Sequence, residues 1–123
     1  MKQLFEPKRV ARIGASTNKR RPGNQLFRNM EACFGDDFYP VNPRVDKIDE
    51  KVCYRSILDV PAEIDLVVVF IPASSVPEAL EQCAEKGVRR VIIESAGFAE
   101  AGPEGKALEA RCRAIAQKRG LRI

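Results

Sequence analysis

No histidine occurs among the 123 residues, and the four cysteines (Cys33, Cys53, Cys83 and Cys112) form no Cys-x-x-Cys pair. Without imidazoles or clustered thiols, a metal centre is not expected. Three of the thiols, at 33, 83 and 112, fall on apolar positions of helical patterns, where a free thiol acts as a small core hydrophobe. No apolar run approaches the roughly 18 residues of a membrane helix. The opening Met1-Lys-Gln-Leu-Phe-Glu-Pro lacks the hydrophobic stretch of a secretory signal. A soluble cytoplasmic protein is the expectation. No linker or low-complexity stretch divides the chain, so it reads as one domain. Neither Gly-x-Gly-x-x-Gly nor the Gly-Lys-Ser/Thr of a P-loop is present. No serine, cysteine or carboxylate has an evident base beside it, which argues against covalent catalysis by the chain alone.

What is there is a normal apolar fraction of 45% and a net charge of +4 with a pI near 9.0. The excess positive charge suits an anionic partner. Lys19, Arg20 and Arg21 form one cluster, and Lys118, Arg119 and Arg122 another. The basic residues are not interleaved with aromatics and no recognition helix is evident, so a nucleic acid is not the expected partner.

Short apolar runs alternate with helical patterns, as in βαβ units around a parallel sheet. Strands are expected at Val10 to Gly14, Asp37 to Val41, Asp65 to Ile71, Arg90 to Ile93 and Leu121 to Ile123. Pro40 weakens the second, because proline cannot donate to a ladder. The run at 65–71 is continuously apolar, the pattern of a strand covered on both faces. Between strands, a helix is expected from about Pro22, burying Leu26, Phe27, Met30, Cys33 and Phe34 and stopping at Gly35. A second opens with a capping box, Ser75-Val-Pro-Glu78, and buries Val76, Ala79, Leu80, Cys83 and Ala84 before Gly87. A third runs from Pro103 through Leu108, Cys112 and Ile115 to about Lys118.

The pattern predicts an α/β, doubly wound, Rossmann-like domain. It has a five-stranded parallel sheet ordered 3-2-1-4-5, with helices on both faces. The last strand, only three residues long, predicts a domain cut from a longer protein. Ligands of such sheets bind beyond the carboxyl ends of the strands, here near a switch point between strands 1 and 4.

Four loops lie at that edge. In the first, Gly14 permits a sharp turn, and Ala15, Ser16, Thr17, Asn18 and Lys19 lead toward a helix whose free amides suit a diphosphate. An ordinary polar connection with solvated basic residues is the competing reading. In the second, Asn42, Pro43 and Arg44 stand where an NAD-binding domain carries an acid for the ribose hydroxyls. No acid occurs until Asp46, whereas a guanidinium clasps a phosphorylated ribose. That pattern favours CoA, with its 3′-phosphate, or NADP, with its 2′-phosphate, over NAD. The third loop, Ile71, Pro72 and Ala73, is small and partly apolar, suited to adenine or pantetheine. The fourth, with Ser95, Ala96 and Gly97, is similarly open.

Taken together, these stretches resemble the CoA-binding domain of NDP-forming acyl-CoA synthetases. That family includes ADP-forming acetyl-CoA synthetase and, more distantly, the α subunit of succinyl-CoA synthetase. The resemblance rests on Val10-Ala-Arg-Ile-Gly-Ala-Ser16 with Gly23, Tyr39-Pro-Val-Asn-Pro-Arg44, Asp65 through Ala73, and Ile92-Ile-Glu-Ser-Ala-Gly-Phe-Ala-Glu100. It covers Leu4 to Ile123. The resemblance implies that residues 14–19 contact the CoA phosphates, Arg44 the ribose phosphate, and residues 71–73 and 95–97 the path of adenine and pantetheine. It also implies that the CoA thiol is presented to an acyl phosphate on another domain or a β subunit. A phosphohistidine relays phosphate there, a step this chain cannot perform. An oligomer is compatible with the sequence. Arg12 departs from the family pattern, which is apolar there, and calls for a partner such as Glu94 or Asp65. Two other readings compete: an NADP(H)-binding redox-sensing domain and a stand-alone CoA-binding regulatory protein.

Overall fold

Four apolar segments pair in parallel: β1 (Val10–Ile13), β2 (Phe38–Val41), β5 (Leu66–Val69) and β6 (Arg90–Ile93). The intervening β3 (Lys47–Ile48) and β4 (Lys51–Val52) form a separate two-residue antiparallel pair. Two helices follow the middle of the chain, α1 (Val76–Lys86) and α2 (Pro103–Arg119). The computed structural model describes residues 7–14, 29, 32–44, 47–48, 51–94 and 102–123.

The order across the sheet is β2-β1-β5-β6. This corrects the expected order in two ways. The apolar strand near 65–71 lies between β1 and β6, not outside β2. The expected fifth strand contributes a single bridge, Arg90 to Arg122, so among the described residues the sheet has four strands. Pro40 supplies the physical reason for the first correction. In a parallel strand a residue's N–H and C=O face the same neighbour. The Pro40 carbonyl accepts from the Tyr54 amide at 2.9 Å, on the side away from β1. Proline's missing donor therefore faces the outer edge, where a full strand would have lacked a ladder bond. Among the described residues only Tyr54 pairs there, through an isolated parallel bridge to Val41.

Period-two alternation divides the strand residues between two apolar clusters. Ala11, Ile13, Val41, Val67, Val69 and Val91 pack against Val76, Ala79, Leu80 and Cys83 of α1 and Cys112 and Ala116 of α2. Burying each such valine or leucine side chain contributes about 1.5–3 kcal/mol, so this face is the main source of cohesion. Val10, Phe38 and Val68 face the other way, with Cys53, Leu66 and Phe34. Residues 32–34 are helical and end at Gly35, whose φ of 54° suits the expected stop. Pro22, Leu26, Phe27 and Met30 lie outside the described residues. Cys33, expected in the core, is exposed; Cys53, Cys83 and Cys112 are buried, and all four are free thiols. Burial pushes the Cys83 thiol up to about 12.

The capping box does not form. Ser75 has helical backbone angles (φ −94°, ψ −9°) and makes no side-chain cap hydrogen bond. A 3-10 turn, Ala73–Ser75, runs directly into α1, and Ser75 donates its N–H to the Pro72 carbonyl. With its backbone already helical, Ser75 lacks the extended setting from which a cap serine reaches the Glu78 N–H. The helix stop is as expected, with Gly87 at φ 97° donating to the Ala84 and Cys83 carbonyls. The α2 helix ends likewise on Gly120, at φ 73°.

Candidate functional site

The strand register sets the site. Ile13 pairs with Val41 and Val69, and Val69 with Ile93. The next residues, Gly14, Asn42, Phe70 and Glu94, therefore form one row at the carboxyl edge. Three backbone bonds hold that row: Gly14 N–H to Val41 O, Phe70 N–H to Ile13 O, and Glu94 N–H to Val69 O. The chain passes from β2 across β1 to β5, so the switch point lies between β1 and β5. It was expected beside 90–93; the changed strand order moves it.

A cleft of about 790 Å³ opens there, within the range of small-ligand sites. Gly14, Asn42, Pro43, Arg44, Ile71 and Pro72, all expected at the site, line it. Ala73 does not: it is buried at the start of the 3-10 turn. Residues 15–19 and 95–97 lie outside the described residues.

Gly14 explains why two loops converge. Its φ is +103°, and a Cβ there would lie 2.1 Å from the Phe70 carbonyl oxygen. Only glycine lets the exit of β1 lie against the exit of β5. Asn42 shapes the neighbouring turn: its side-chain oxygen accepts from the Arg44 N–H at 2.8 Å, a local asparagine turn. The Asn42 N–H donates to the Tyr54 carbonyl, also at 2.8 Å. Arg44 is thus held on an exposed turn at the rim of the cleft.

The cleft also takes in residues that the sequence reading left aside: Arg55, Ser56, Glu78 and Gln82 among them. Ser56 accepts from the Leu58 N–H, capping the 3-10 turn Ile57–Asp59, and reaches Gln82 Oε1 at 3.3 Å. Among the described residues, the acid that falls in the cleft is Glu78 of α1.

Beside the cleft sits the departure noted in β1. Arg12 is 1% exposed. Its Nη1 reaches Glu94 Oε1 at 3.3 Å, and its guanidinium carbon is 5.3 Å from the centre of the Phe70 ring. Nε and Nη2 have no hydrogen-bond partner among the described residues. Burial lowers the pKa of Arg12, while the hydrogen bond and charge of Glu94 raise it. Arginine nevertheless stays charged. Asp65, the other partner considered, instead accepts from the Lys8 and Arg9 amides. An asymmetry follows. Glu94→Ala strands the buried charge and lowers stability by about 1–3 kcal/mol. Arg12→Met removes charge and unpaired donors together and is neutral or stabilising by about 1 kcal/mol. Urea denaturation of both variants measures this; equal losses would contradict it.

Comparison with known proteins identifies the family. A family model described as a CoA binding domain matches residues 8–123. The chain is 45% identical to acetate–CoA ligase (ADP-forming) II of Archaeoglobus fulgidus, over 100% of this chain and 18% of that protein. It is 40% identical to the alpha subunit of acetate–CoA ligase (ADP-forming) II of Pyrococcus furiosus, over 98% of this chain and 26% of the subunit. The chain thus spans about a fifth to a quarter of these relatives' lengths. Among solved structures, a dinucleotide-forming acetyl-coenzyme A synthetase 1 from Ca. Korarchaeum cryptofilum, in complex with phosphate and ADP, superposes with a TM-score of 0.84. Its identity is 30%, over 95% of this chain and 25% of that one. With the family model matched along nearly its whole length, the chain belongs to the family of CoA binding domains.

Proposed function

We propose that this domain is the CoA-binding module of an NDP-forming acyl-CoA synthetase. It holds CoA by its phosphates and presents the thiol to an acyl phosphate carried by another domain or a β subunit. The observation that carries the reading is the Asn42-Pro43-Arg44 turn, which sets a guanidinium after β2 on the cleft. A guanidinium offers paired donors to the CoA 3′-phosphate, while an acid at that turn would select unphosphorylated ribose. Gly14 starts the first loop at the lining of the cleft, and residues 15–19 supply the diphosphate contacts. Ile71 and Pro72, with Ser95, Ala96 and Gly97, flank adenine and pantetheine. The relatives' names support the parent activity, a ligase joining an acid to CoA. The chain has no histidine, so a phosphohistidine relay belongs to other sequence.

The same turn would admit a 2′-phosphorylated ribose, so NADPH is the ligand to test against. Titrating the chain with NADPH, followed by nicotinamide fluorescence, and then displacing with CoA separates the two. CoA is expected to bind more tightly and to displace any NADPH bound. NADPH binding more tightly than CoA would contradict the proposal.

A further inference from the structure

We infer that Arg55 is a second specificity-determining guanidinium for the ribose phosphate, acting with Arg44; the inference rests on the site reading proposed above. Eleven positions separate the two arginines, yet both line the same cleft. One residue, Asn42, ties their backbones together. Its side-chain oxygen accepts from the Arg44 N–H, and its own N–H donates to the carbonyl of Tyr54, directly before Arg55. The Tyr54 N–H returns a bond to Pro40, completing the bridge to β2. On the far side of Arg55, Ser56 is tied to the Leu58 amide and to Gln82 of α1. Arg55 is therefore held between two anchored residues, a preorganisation that a solvated surface arginine does not require.

The charge balance gives this placement a purpose. A phosphate monoester carries about −1.5 to −2 at neutral pH, more than one guanidinium neutralises. Glu78 adds a carboxylate to the same cleft. Two forked donors match the oxygens of a terminal phosphate more completely than one. The diphosphate is assigned above to residues 15–19, so the second arginine is assigned to the ribose phosphate.

The test compares CoA with dephospho-CoA by calorimetry on the wild-type chain, Arg55→Ala and Arg55→Lys, with thermal melts to confirm folding of these exposed-site variants. Arg55→Ala is expected to lower CoA affinity at least about tenfold, while dephospho-CoA affinity changes less than about twofold. Arg55→Lys, which keeps the charge but not the fork, recovers part of the loss. Equal losses for both ligands, or discrimination unchanged in Arg55→Ala, overturn the role of Arg55 and leave the site reading standing. A wild-type chain that binds the two ligands equally overturns the site reading itself.

Discussion

Arg44→Glu is expected to weaken CoA binding by at least about 2 kcal/mol, roughly 30-fold, through lost pairing plus repulsion of the 3′-phosphate. The turn survives the change, because the bond to Asn42 uses the Arg44 backbone N–H and not its side chain. Arg44 is exposed, so stability should stay within about 0.5 kcal/mol of wild type. The effect is therefore readable as binding alone. Dephospho-CoA, which lacks the phosphate, should lose far less. Calorimetry with both ligands checks this, and a loss of CoA affinity below about threefold would contradict the assignment.

The second large effect is on folding. Gly14→Ala sets a methyl group 2.1 Å from the Phe70 carbonyl oxygen and 3.1 Å from Ile71 Cγ2. The nearer clash is with backbone, which cannot rotate away as a long side chain could. Relief requires the exits of β1 and β5 to separate, which also strains the Gly14 to Val41 and Phe70 to Ile13 hydrogen bonds. The left-handed conformation adds about 1–2 kcal/mol and overpacking about 1–3, a combined loss of about 2–5 kcal/mol. Urea denaturation should show it, together with weaker CoA binding by the molecules that remain folded. A variant within about 0.5 kcal/mol of wild type, with unchanged CoA affinity, would remove the glycine turn from the site. Gly87→Ala is a useful control. It shares a positive φ, but among the described residues nothing beyond its chain neighbours lies within 4 Å of the added carbon, so only the conformational cost applies.

The strands, the two long helices and the glycine turn were legible because each depends on local chemistry: apolar runs, helical spacing, and glycine where φ is positive. Neighbour order in the sheet depends on what a strand's edges can donate, and apolar pattern does not encode that. Pro40 carried the missing information. Its absent N–H, in a strand that also had to pair with β1, leaves the outer edge unable to seat a full strand. The capping box failed because a 3-10 turn carries helical backbone through Ser75, a continuation that the Ser-x-x-Glu pattern does not encode. Cys33 follows the apolar spacing of its neighbours yet is exposed, and nothing in the structure explains why that thiol faces outward.

At the cleft, residues flanking strand ends were found from sequence, because a parallel sheet brings its carboxyl ends into one row. Arg55, Ser56 and Gln82 were not. They reach the cleft through long-range links, the Tyr54 bridge to β2 and the Ser56 contact with α1. Short, irregular sequence around 43–61 gives no periodic signal of either. Arg12 lies between these cases: its need for a partner followed from charge in an apolar strand, and Glu94 was one of two candidates.

A crystal structure of the chain with CoA bears most directly on the role given to the cleft. The 3′-phosphate should lie within about 3 Å of the Arg44 guanidinium, with the diphosphate at the turn that begins at Gly14. A nucleotide seated elsewhere on the sheet, or a ribose phosphate directed into solvent away from Arg44, would contradict it.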